Sequence, residues 1–270
     1  MTGKRADSNP ETDADAPYRP SVVRTLRKSV ADAWLYLALF VGVNVIWVVL
    51  LGLPLGALGR LALRPIVAII GIAMTVLTVA VGNAILFHVT NRIAHGDACA
   101  RDLWRTVTDH FAASLAMLVI IAAIAALAIF NVHFYLRVLP ASPLWRIIGI
   151  IWGYVVIMFA LAMAYSYPLL VDQGCGAWSA MRRSTLLFLD NPGYTLGLAG
   201  ALLAWTFVVI LPVLTAVPVL VGLSALVLCF IEAGFVALVA NNALLELTRK
   251  YETQERKQDA GGCVPGHTGG

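Results

Sequence analysis

The sequence predicts an all-α membrane protein: six transmembrane helices in three hairpins, with amphipathic interfacial elbow helices on the cytoplasmic side. Three observations predict it. Of the 270 residues, 60% are hydrophobic and 13% charged, with a mean hydropathy of +0.84, which leaves too few polar side chains to coat a water-soluble domain. The charged residues crowd into the first 32 positions, the last two dozen and a few short connectors. Between them lie six runs long enough to span a bilayer, for which about 20 apolar residues are needed at about 1.5 Å per residue.

The runs cover about 34–58, 65–89, 112–130, 145–171, 192–218 and 219–245. The boundary between the last two is set by Pro218 and Gly222, because 212–222 holds no charge. The polar segment 1–20 lacks the apolar core of a secretory signal, so the first span is expected to act as its own insertion signal. The chain therefore divides into a disordered N-terminal tail (1–20), a six-helix transmembrane domain (21–250) and a disordered C-terminal tail (251–270).

Orientation follows from Lys and Arg. Counted on alternate sides of the six spans, fifteen basic residues fall on the side of both tails; only Arg60, Arg64, Arg137 and Arg146 fall on the other. The positive-inside rule makes the rich side cytoplasmic, so a multi-pass protein of the cell membrane with both termini in the cytoplasm is expected. The net charge of +4 has the same origin; nucleic acid is not an expected partner, whereas the lipid bilayer is.

The connectors on the basic side carry structure of their own. Ala100, Leu103, Trp104, Val107 and Phe111 recur at helical spacing, with Arg101, Asp102, Arg105 and Asp109 on the opposite face. Trp178, Met181, Leu186 and Leu189 repeat the pattern beside Arg182 and Arg183, as do Val22, Leu26 and Val30 beside Arg24, Arg27 and Lys28. Each odd-numbered span is thus introduced by an amphipathic elbow at the headgroups. Trp104, Arg105, Trp178, Arg182 and Arg183 form a candidate cytoplasmic surface for a partner, such as another membrane protein in a transporter complex. Asp190, Asn191 and Pro192 read as an N-cap and first turn of the fifth span. Gly149 with Gly153, and Gly193 with Gly197, have the spacing that lets helix backbones approach closely, and fit either a homo-oligomer contact or internal packing.

Few residues carry chemistry. Glu232 stands near the middle of the sixth span, where a charge costs about 2.5 to 3.5 kcal/mol on insertion scales. It is expected to face the bundle interior, either as a functional carboxylate or as a packing group bonded to Asn44 or Asn83. Asn241 and Asn242 read as packing groups, and Asp172 as an ion-pair partner of Arg182 or Arg183. Cys99, Cys175, Cys229 and Cys263 form no CxxC pair, and His95, Cys99 and Asp102 offer three mixed ligands without a fourth, so neither metal nor other cofactor is expected. There is no GxxxxGK[ST], HExxH or GxSxG motif, and an enzyme is not expected.

The first span, Asn44-Val45-Ile46-Trp47 leading to Leu53-Pro54 and a Gly-rich turn, resembles the opening helix of the YesL-like family of bacterial integral membrane proteins. Arg92 with the amphipathic stretch 102–111, and 165–170 followed by 180–192, extend the resemblance over most of 34–246. It implies six helices, no established activity and no catalytic residues to carry over; members are suspected of helping carbohydrate uptake systems, which implies a non-enzymatic accessory role. The alternative is a small transporter or channel subunit built on the intramembrane carboxylate and on Pro212 in the fifth span.

Overall fold

The computed structural model describes residues 18–61, 65–98, 103–138, 142–214, 221, 224–225 and 227–262, and all of its regular structure is helical. The helices are α1 (Val22–Leu35), α2 (Leu37–Leu61), α3 (Pro65–His95), α4 (Leu103–His133), α5 (Pro143–Ala162), α6 (Ser166–Gln173), α7 (Ala177–Asp190), α8 (Pro192–Leu214) and α9 (Ala233–Gly262). Short π-helical turns extend α4 over Phe134–Val138 and lead into α9 over Leu228–Glu232. Among the described residues five stretches are long and apolar enough to cross a membrane, and six if the bent pair α1–α2 counts as one span. The protein is a multi-pass helical membrane protein.

The elbows behave differently from one another. α1 meets α2 at 93° across Tyr36, so the first elbow is a separate helix and Trp34 belongs to it rather than to the span. No Pro or Gly marks this corner. It is held from outside, where the Tyr36 hydroxyl donates to the Gly96 carbonyl at 2.8 Å and Lys28 donates to the Ala94 carbonyl at 2.7 Å. α7 is likewise separate from α8, divided at Asn191 before Pro192. The elbow expected before the third span does not form an element of its own: α4 runs unbroken from Leu103 into the span, with no helix breaker to part them.

The fourth span is kinked, since α5 ends at Ala162 and α6 restarts at Ser166. The backbone groups freed at the kink are met by α7, where the buried Ser184 hydroxyl accepts the Tyr165 amide at 3.1 Å and donates to the Ala162 carbonyl. Pro54 and Pro212 lie within α2 and α8, as lipid-spanning helices tolerate.

α9 runs through the middle of the packing. Ala237, Leu238, Val239, Ala243, Leu244 and Leu247 are buried; Leu238 belongs to a cluster with Phe40, Val43, Leu86 and Ile93. Leu244 and Leu247 join a second cluster with Met117, Tyr165, Leu169 and Leu170. The stretch 251–262, expected to belong to a disordered tail, is helical, because α9 continues to Gly262; 263–270 lie outside the described residues.

Close approach occurs at one glycine of each pair that the spacing picked out. A Cβ on Gly197 would press on Val22 and one on Gly149 would strike Leu136, but Gly153 and Gly193 face open space. The tightest site is Gly234, where an added Cβ would run into the Asn44 side-chain amide. Gly234→Ala is expected to lower unfolding free energy by about 1 to 3 kcal/mol through overpacking. Gly153→Ala is expected to be neutral or slightly stabilising, since Ala is the better helix former by about 1 kcal/mol. Unfolding of both variants in mixed micelles tests the contrast.

Candidate functional site

The polar residues of the last span and its continuation bind a different neighbour at nearly every level. Starting from the end remote from the tails, Glu232 closes the π-helical turn and is half-buried against α8. Its Oε2 accepts the Trp205 indole N–H at 2.8 Å and its Oε1 accepts the Thr206 hydroxyl at 2.7 Å. Neither Asn44 nor Asn83 is its partner. The reason is register: Glu232 looks toward α8, whereas both asparagines are engaged elsewhere.

The buried Asn44 turns its Oδ1 to the backbone N–H of Gly234 at 2.7 Å, while its Nδ2 returns to the Phe40 carbonyl at 2.8 Å. An α-carbon without a side chain lets the amide be reached directly, immediately after the widened π turn. Asn83 accepts the Trp47 indole N–H at 3.0 Å and approaches the Tyr167 hydroxyl at 3.5 Å, joining α2, α3 and α6. Tyr167 in turn stacks on Phe87 with ring centroids 5.0 Å apart.

Below this level Asn241 and Asn242 are both buried. Asn241 donates to the Thr90 hydroxyl at 2.9 Å, bonding α9 to α3. Asn242 donates to Ser29 and to Asp32, each at 3.1 Å, and accepts from Lys28, so it fastens the first elbow to α9. One turn on, the buried Glu246 pairs with Arg24 at 3.2 Å. Finally Lys250 donates to Asp190 at 3.0 Å and to Asn191 at 2.7 Å, while the Tyr251 hydroxyl bonds the same Asp190 carboxylate. Asp190 therefore ties α7 to α9 instead of capping α8.

Glu246 and Glu232 are fourteen positions apart on one helix path, so the intramembrane carboxylate lies about 20 Å from the level of the first elbow. That is well inside a hydrocarbon layer about 30 Å thick. Its two donors were legible in part, since Trp205 and Thr206 are the only side chains with N–H or O–H groups in an otherwise apolar stretch from 196 to 214.

The remaining expected sites resolve as follows. Asp172 pairs with His95 at 3.6 Å and accepts from Asn91 at 3.4 Å, not with Arg182 or Arg183, because α6 ends beside the end of α3. Arg183 instead bonds Gln173. Arg182 and Trp178 are exposed on α7, Trp178 at 70%. The side chains of Trp104 and Arg105 lie outside the described residues, as do Cys99 and Asp102 of the three-ligand set. Among the described residues no group of three His, Cys, Asp or Glu is placed to hold a metal.

No family model, no curated protein and no solved structure matches the chain.

Two outcomes test this geometry. Removing both donors with Trp205→Phe and Thr206→Val is expected to destabilise the bundle by about 0.6 to 1.7 kcal/mol per bond lost. A double-mutant cycle with Glu232→Gln should show that coupling. The second concerns Asp190, whose carboxyl is held below its ordinary value of 3.8 by the Tyr251 hydroxyl first and Lys250 next. A depressed native value means that the tie is complete above the ordinary value and is lost as pH falls through the native one. Protection of the amides around Lys250 and Tyr251, taken relative to their intrinsic exchange rates, should be constant above about pH 5 and fall in acid. Asp190→Asn should show loosened exchange throughout and no such transition.

Proposed function

We propose that this protein is a non-enzymatic accessory or scaffold protein of the cell membrane, with both tails in the cytoplasm, that holds a partner membrane protein through its basic end. One observation carries the reading. The polar groups of the bundle bind one another around α9, and α9 then continues past its last interhelical bond at Tyr251 as a charged helix for about 16 Å. Among the described side chains beyond Tyr251, those of 252–255, no hydrogen bond or ion pair reaches another helix. A fixed base with a projecting polar helix is suited to docking rather than to chemistry.

The surroundings of that helix agree. Arg24, Arg27, Arg182, Arg183 and Arg249 are exposed, and contacts among α1, the 92–97 turn, α6, α7 and α9 bring their segments to the same end of the molecule. The positive-inside rule assigns that end to the cytoplasm. The resemblance to YesL-like proteins points to a partner in a carbohydrate uptake system.

A second reading, a small transporter or channel subunit, is favoured by the π-helical turn that ends on Glu232. Such turns are frequent at functional sites, and this one puts a half-buried carboxylate deep in the hydrocarbon layer.

Affinity purification from the native membrane in mild detergent separates the two. The scaffold reading expects a stoichiometric membrane-protein partner that is lost when the chain is ended after Glu252 and kept in Glu232→Gln. Recovery of no partner, together with solute flux in liposomes that Glu232→Gln abolishes, would replace it with the transport reading.

A further inference from the structure

The separate elbows each stand over an apolar cleft, and the two clefts differ in one respect. The cleft between α1–α2 and α8–α9 encloses about 530 Å³ and is lined by Leu26, Val30, Trp34, Phe40, Trp205 and others, none of them charged. The cleft between α5 and α7 has a volume of about 640 Å³ and is lined by apolar side chains such as Val155, Met158, Phe159, Met181 and Leu189, together with Tyr154 and Trp178. Its one charged member is Arg182, with the Thr185 hydroxyl three residues on along α7.

From the geometry of this second cleft we infer that it is a binding site for an anionic phospholipid, with an acyl chain between α5 and α7 and the phosphate on Arg182. The occupant follows from three features. First, the cleft opens on a surface that faces hydrocarbon: Ile147, Ile150, Ile151 and Ile157 of α5 are all exposed on the outside of the bundle. From Met163 to Tyr154 the α5 wall rises about 13 Å, room for much of an alkyl chain.

Second, the elbow has an interfacial character on this side. Trp178, one turn before Arg182, is exposed, as are Leu186 and Leu189, and tryptophan favours the headgroup level. Third, the charge is not compensated. Among the described residues Arg182 has no carboxylate partner, and the nearby acids are engaged, Asp172 with His95 and Asn91, Asp190 with Lys250, Tyr251 and Asn191. A single cation and a hydroxyl at the mouth of an apolar slot match an amphiphile with an anionic head. An extended protein segment would bring backbone N–H and C=O groups for which this wall has no partners.

The test is native mass spectrometry of the full-length protein, delipidated in neutral detergent and titrated with phosphatidylglycerol or phosphatidylcholine of identical chains. Wild type is expected to retain one phosphatidylglycerol about fivefold more tightly than phosphatidylcholine, the preference one basic residue gives at an anionic headgroup. Arg182→Gln should abolish that preference and Arg182→Lys restore it. Arg27→Gln, a change to an exposed arginine outside the cleft, should leave it intact. Met158→Trp, which fills the slot, should weaken both lipids, and glycerol phosphate without acyl chains should fail to compete. Equal retention of the two lipids by wild type, or a preference that survives Arg182→Gln, would overturn the assignment. So would competition by glycerol phosphate, which would make the site one for a free phosphate.

Discussion

A polar side chain within hydrocarbon has no water to turn to, and must be met by another part of the chain. In this protein that requirement converges on one helix path. From Glu232 to Tyr251 the last helix bonds in turn to α8, α2, α3, α1 and the α7–α8 junction, so five other parts of the bundle take their position from it. Apolar packing supplies area but little direction, since lipid is as apolar as leucine. The directional bonds decide which face of each helix looks inward.

Two of these bonds differ in kind. The Asn44 contact to the Gly234 amide is a side chain reaching backbone, possible because Gly234 has no Cβ and follows a π-helical turn. The Glu232 contacts join a carboxylate to two donors on α8. Placed two residues apart, they clamp the start of α9 from opposite sides, and the widened turn lies between α2 and α8. The same local irregularity that admits the Asn44 contact also sets the Glu232 carboxylate against α8.

At the basic end the logic changes from burial to anchoring. α1 and α7 are both tied to α9 on their inner faces, by Asn242 and Glu246 in one case and by Lys250 and Tyr251 in the other. Their outer faces are left to the membrane, with Trp34 77% and Trp178 70% exposed. Interfacial tryptophans and free arginines hold such elbows at the headgroups. The result is a platform fixed to the bundle, with a helical extension of α9 standing on it.

Composition and hydropathy alone determined that the chain is a helical membrane protein, because only helices or closed barrels satisfy backbone groups in lipid and each span here is long enough to be a helix. The spacing of apolar residues on the elbows, and the rarity of polar residues in the spans, also marked α1, α7, Asn44, Asn241, Asn242 and Glu232 as positions of consequence. What each one binds depended on helix register and rotation, which residues distant in sequence fix jointly. Tyr36 carries no breaker, yet the chain turns 93° there because Lys28 and Tyr36 are held by the 94–96 segment. Asp172 stands ten residues from Arg182 in sequence but beside His95 in space. Glu232 could have met any neighbouring helix, and only the packed bundle turned it toward Trp205 and Thr206, since a bond across 27 residues leaves no periodic signature in either segment.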